Sequence, residues 1–139
     1  MRFALLLTLG FVGVALAPAA ESKAGTFGGK YEAAARGKSF FSFEVAPKGD
    51  GFSVSFSAGN EDGSGAAPDG DGTGKLNKRG ELAFTFEDSF ANKGRGVLRR
   101  DGKQFVVTLD LTATKDSRAA VHYGERRLTR IAARAPSRR

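Results

Sequence analysis

The chain has no cysteine, no tryptophan, one histidine and one methionine among its 139 residues. The missing cysteine excludes disulfide scaffolds, thiolate-ligated zinc, iron–sulfur clusters and thiol catalysis. A lone histidine excludes a multi-histidine metal site or a histidine dyad within one chain. Long apolar runs are also scarce: beyond residue 20 no segment approaches the roughly 20 residues that a bilayer-spanning helix needs. No amphipathic helix of useful length is legible either. The abundant residues are glycine (19) and phenylalanine (12), which suit tight turns and a packed interior. A length of 139 residues fits a single domain, and an aromatic content of 10% is enough to give it a core.

The N-terminus has the layout of a secretory signal. Arg2 precedes an uncharged apolar stretch from Ala4 to Ala17, and Ala17-Pro18-Ala19-Ala20 supplies the small residues that signal peptidase accepts. A signal peptide is therefore predicted over 1–20, with cleavage after Ala19 or Ala20. No cysteine follows it to carry a lipid. The expectation is a periplasmic or secreted chain with one domain over 21–131. A flexible arginine-rich tail is expected over 132–139, where Pro136 opposes a helix.

The formal net charge of +7 is unevenly placed. From Glu21 to Glu125, acids and bases balance at 15 each. The excess lies in Arg126, Arg127, Arg130, Arg134, Arg138 and Arg139, with Arg2 in the predicted signal peptide. Such a cluster can attract phosphate polymers or anionic lipid, and Arg126, Arg127, Arg130 and Arg134 are the candidate anion-binding residues. The stretch from Gly49 to Gly74 is the acidic counterpart before Lys75. Within it, Glu61, Asp62, Asp69 and Asp71 are the candidate contacts for a basic partner.

The body of the chain alternates with a period of two. In Phe52-Ser53-Val54-Ser55-Phe56-Ser57-Ala58, apolar residues take every second place and serine the others. Phe41, Phe43 and Val45 follow the same rule, as do Leu82, Phe84 and Phe86, and Phe105, Val107, Leu109 and Leu111. Weaker strand patterns cover Gly29–Ala34, Gly72–Leu76, Arg95–Arg100 and Tyr123–Arg130. Turn signals separate them at Lys48-Gly49-Asp50-Gly51, Asn77-Lys78-Arg79-Gly80 and Asp101-Gly102. The predicted fold is all-β: an antiparallel meander of about eight strands closed into a small barrel, with a sandwich as the alternative. Closure removes exposed edges, and phenylalanine either fills the interior or lines a pocket for one small apolar ligand. The connections 59–70 and 114–121 are longer than hairpins, the second with room for a turn of helix.

Several constellations invite a chemical reading. Asp69-Gly70-Asp71-Gly72-Thr73-Gly74 resembles the opening of a calcium loop, but the twelfth place is Gly80 rather than a bidentate glutamate, so an acidic turn is expected and no metal. Glu87 and Asp88 are adjacent, and adjacent strand residues point to opposite faces, so they do not converge for acid–base work. His122 lacks a nearby serine arrangement for a triad and is read as a polar residue at a strand end. Asp88 and Asn92 are suited to capping a tight turn, with Phe90 folding back onto the core or joining a surface recognition loop. No phosphate loop or dinucleotide fingerprint occurs. Neither an enzyme nor a cofactor is indicated.

The export signal, the length, the strand count and the Gly29-Lys30-Tyr31 opening resemble the small periplasmic β-barrel inhibitors of animal-type lysozymes. The chain lacks the Ser-Gly-containing loop followed by tyrosine associated with their inhibitory contact, so no functional residue is carried over. The resemblance implies an exported, non-enzymatic binding module, an inhibitor of a lysozyme-type cell-wall hydrolase. Two other readings stand beside it: a binder of anionic polymer or membrane surface through the C-terminal arginines, and a carrier of a small apolar ligand.

Overall fold

The computed structural model describes residues 27–131. The predicted signal peptide and the tail over 132–139, with Arg134, lie outside the described residues. Eight strands follow one another: β1 (Gly29–Ala33), β2 (Ser39–Lys48), β3 (Gly51–Asn60), β4 (Asp69–Leu76), β5 (Leu82–Asp88), β6 (Lys93–Asp101), β7 (Gln104–Ala113) and β8 (Gly124–Ile131). A short 3-10 helix, Ser117–His122, precedes β8. Each strand pairs antiparallel with its chain neighbour. Strand β8 returns to β1 through Tyr31↔Arg130 and Ala33↔Leu128, which closes the sheet into a barrel rather than a sandwich.

The alternating residues point as their period requires. Phe41, Phe43, Val45, Phe52, Val54, Phe56, Leu82, Phe84, Phe86, Leu98, Val107, Leu109 and Leu128 form one buried cluster inside the barrel. Ring centroids lie 5.5 Å apart for Phe43 and Phe84, 5.1 Å for Phe56 and Phe86, and 5.0 Å for Tyr31 and Phe105. Burying each such side chain is worth about 1.5–3 kcal/mol. The interior is thus packed with rings.

Space for those rings comes from glycine. A Cβ on Gly70 of β4 would lie 2.2 Å from the Phe56 ring, and one on Gly96 of β6 would lie 2.2 Å from the Phe84 ring. Large rings on β3 and β5 therefore seat against bare backbone on β4 and β6. This explains why β4 starts at Asp69, three residues before the predicted Gly72. Glycine carries no hydrophobic signal, so its inward alternation is invisible in composition. The sequence Asp69-Gly70-Asp71-Gly72, read as an acidic turn, is strand.

The two ends of the barrel differ. At the lower end, two-residue turns (Gly49-Asp50 and Gly102-Lys103) and a short connection over 77–81 join the strands. At the upper end lie the connections 34–38, 61–68, 89–92 and 114–123; 61–68 and 114–123 are the longest between strands, the last including the 3-10 helix. His122 closes that helix and is buried, at 3% exposure, where the sequence had suggested a polar residue at a strand end. Among the described residues, no helix is long and apolar enough to cross a membrane.

Candidate functional site

The outer wall sorts the charges by cross-strand register. One row runs Lys30, Glu44, Ser55, Asp71, Glu87 and Lys93 from β1 to β6. The next runs Glu32, Ser42, Ser57 and Asp69. These residues, apart from Glu87 and Lys93, line a shallow hollow of about 330 Å³. Five carboxylates share this wall with three serines, and lysines stand only at the ends of the first row. Asp69 accepts a hydrogen bond from Ser57 Oγ at 2.6 Å. Lys30 reaches Glu44 at 3.9 Å with both side chains largely exposed, so that pair is weak. Asp71 and Glu87 face each other directly, an arrangement of like charges that costs stability.

Of the four acids singled out in the sequence, Asp69 and Asp71 therefore belong to the strand wall. Glu61 and Asp62 stay on the 61–68 loop. Lys38 donates to Asp62 at 2.7 Å and Ser64 adds its hydroxyl and amide, which holds the Asp62 carboxyl at about 2. Asp69, Asp71 and Thr73 occupy successive outward positions of a strand, roughly 6.8 Å apart along it, and do not wrap around a point as calcium ligands would. Among the described residues, no group of three or more histidines or carboxylates is placed to hold a metal ion.

The arginines divide in another way. Arg126, Arg127 and Arg130 all lie in β8 rather than in a free tail, so removing the chain after Glu125 also removes the strand that closes the barrel. Arg127 points outward and pairs with Asp101 at 2.9 Å. Arg130 lies over the Phe105 ring at 4.8 Å and the Tyr31 ring at 5.4 Å, and donates to Tyr31 Oη at 3.0 Å. Arg126 has the parity of Leu128 and Arg130 and faces inward at the upper mouth. It is 6% exposed, its guanidinium lies 5.9 Å over the Phe41 ring, and it donates to the His122 carbonyl at 3.4 Å.

Beside it, the upper end is held by a polar network. Asp88, buried at the end of β5, accepts from the amides of Phe90 and Asn92 at 2.9 Å each, from Asn92 Nδ2 at 2.9 Å, and from Tyr123 Oη. Asn92 Oδ1 in turn accepts from the amides of Lys115 and Asp116 at 2.7 and 2.9 Å. The turn role expected of Asp88 and Asn92 is what the geometry shows, extended to clamp the 114–116 segment. Burial, with the Asp88 carboxylate accepting its proton, pushes the Tyr123 hydroxyl far above its ordinary range. Phe90 does not fold into the core; it is half-buried under Arg118, 5.8 Å from the guanidinium. His122 Nε2 donates to the Ala66 carbonyl at 2.8 Å, tying the 3-10 helix to the 61–68 loop.

Comparison of the chain with known protein families, with curated proteins and with solved structures found no match. The site therefore rests on its own geometry. Sequence reading missed that Glu32, Glu44 and Glu87 join Asp69 and Asp71, because only cross-strand register brings them together. The inward turn of Arg126 was legible in principle, from its even spacing with Leu128.

Proposed function

We propose that this chain is an exported, non-enzymatic binding module whose acidic wall docks a basic protein. A lysozyme-type cell-wall hydrolase is the partner class that fits such a charge. The observation that carries the reading is the convergence of Glu32, Glu44, Asp69, Asp71 and Glu87 on one face of β1–β5. Small serines between them leave the shallow hollow open to a side chain of a second protein. The retained like-charge pair Asp71 and Glu87 costs stability that a cationic partner would return. A closed barrel gives the face rigidity, so little ordering entropy opposes docking. The space that a small apolar ligand would need is occupied by the rings of Phe43, Phe56, Phe84 and Phe86.

The test measures association with a basic lysozyme-type hydrolase at two ionic strengths, and the residual hydrolase activity. Replacing Asp69, Asp71 and Glu87 with Asn, Asn and Gln is expected to slow association about tenfold at low salt and to flatten its salt dependence. The same changes in Glu61 and Asp62 should matter less, since Lys38 already offsets Asp62. Absence of hydrolase binding, or an on-rate indifferent to the wall substitutions, would remove this reading.

A further inference from the structure

The upper mouth holds a charge that the barrel does not neutralise. Arg126 is 94% withdrawn from solvent by its 6% exposure, yet among the described residues it has no carboxylate partner. Its one hydrogen bond goes to a neutral carbonyl at 3.4 Å, the long end of the range, and Phe41 offers only a ring face at 5.9 Å. A guanidinium carries five donors, and among the described residues Arg126 meets a single protein acceptor. The charge that acts on it is that of Arg36, of the same sign. Burial pushes the Arg126 guanidinium below its ordinary value, and the positive Arg36 pushes it further.

A second, independent group is unsatisfied at the same end. Ser39 Oγ is the buried side-chain polar atom that lacks any partner among the described residues. Ser39 stands at the upper start of β2, two residues before Phe41 and on the same side of the strand. The Phe41 ring is the one beneath Arg126, and the Arg36↔Ser39 bridge brings the Arg36 backbone to the same place. An orphan hydroxyl and an underused guanidinium thus border the same ring at one mouth, with Arg36 near enough to act on Arg126 by its charge. Since Ser39 Oγ alone is sealed without a partner, the idle Arg126 N–H groups still meet solvent. Phe40 and Val121, exposed at 38% and 75%, supply apolar surface at this end.

We infer that the upper mouth is a binding site for a single oxyanion, a carboxylate or phosphate group, held by Arg126 and Arg36, with the Ser39 hydroxyl turning out of its sealed position to become an additional donor. A planar guanidinium offers two parallel N–H groups to such an anion. The anion supplies the opposite charge that Arg126 lacks, because the buried Asp88 carboxylate is already committed to Phe90, Asn92 and Tyr123. This site lies on the inner side of the mouth and does not depend on the acidic outer wall.

The test uses the full chain in low-salt buffer, with nitrogen-15 NMR following Arg126 Nε and the amides of Arg36, Ser39 and His122. Sodium acetate and sodium phosphate are titrated separately against sodium chloride at matched ionic strength. A saturable shift with acetate or with phosphate, absent with chloride, is expected, and the anion that produces it identifies the group recognised. Arg126→Met should weaken that response at least tenfold while the thermal midpoint holds or rises, because an unpaired buried charge has been removed. Arg36→Ala and Ser39→Ala should each weaken it several-fold, and they carry the test if Arg126→Met fails to fold. A response no different from chloride overturns the inference. So does undiminished binding in Arg126→Met, or in both other variants where that one cannot be read.

Discussion

Two arginines of β8, four residues apart on the same inner face, meet opposite fates at the two ends of the barrel. Arg130 at the lower end lies on two aromatic rings and donates to Tyr31 Oη. Arg126 at the upper end is the more deeply buried and the less well paired. Residue type and strand position are shared, so the environment alone sets the difference. Below, the guanidinium is exposed, stacks its face on two rings and donates to a hydroxyl, the cheap way to place a cation near a core. Above, the guanidinium is buried with no carboxylate paired to it, the expensive way. Such a cost, with the orphan Ser39 hydroxyl at the same end, marks the upper mouth as one place where stability was given up, as the Asp71 and Glu87 pair marks the outer wall.

The contrast between ends is broken most severely through the carboxylates that hold their turns. Asp88→Ala at the upper end removes an acceptor for two amides, one side-chain amide and the Tyr123 hydroxyl, leaving buried donors unpaired. A loss of about 3 kcal/mol in urea unfolding is expected. Asp101→Ala at the lower end breaks only a half-exposed pair with Arg127 and should cost less than about 1 kcal/mol. Equal losses would show that the two ends are held alike.

A smaller effect sharpens the comparison directly. Arg130→Met should lower stability by about 1 kcal/mol, through the lost stacking and hydrogen bond. Arg126→Met should be neutral or stabilising. The sign of the difference, read from matched denaturant midpoints, is the quantity that matters.

The tyrosines provide the mildest test. Tyr31 at the lower end and Tyr123 at the upper both hold their protons above the ordinary value of 10.0, in each case chiefly through burial. Arg130 opposes the shift at Tyr31, whereas Asp88 adds to it at Tyr123. Above pH ~10 the unfolded chain loses these protons while the folded chain keeps them, so stability is full below that pH and falls as pH rises. Tyr123→Phe should flatten the alkaline fall between pH 9 and 11 more than Tyr31→Phe, as measured by midpoints at fixed denaturant.

Much of this fold could be read from the residues, for a local reason. Alternation over Phe52–Ala58 or Leu82–Phe86 specifies both a strand and its wet and dry faces without reference to any neighbour. The glycine-bearing strands were read short, because Gly70, Gly94 and Gly96 face inward without an apolar side chain to announce it. The acidic site was half legible. Asp69 and Asp71 stood out by composition, but Glu32 and Glu44 precede them by 25 or more residues and reach them only across paired strands. Asp62 looked equivalent in sequence, yet Lys38 neutralises it in the fold.

The sequence by itself determined the meander of short antiparallel strands, their facing, their turns and the aromatic filling, because each depends on residues within a few positions of one another. Tertiary structure alone decided which carboxylates share a wall and which arginine is stranded inside a mouth. Those outcomes follow from the closure of β8 on β1 and from register accumulated around the barrel, a non-local quantity that no single segment carries.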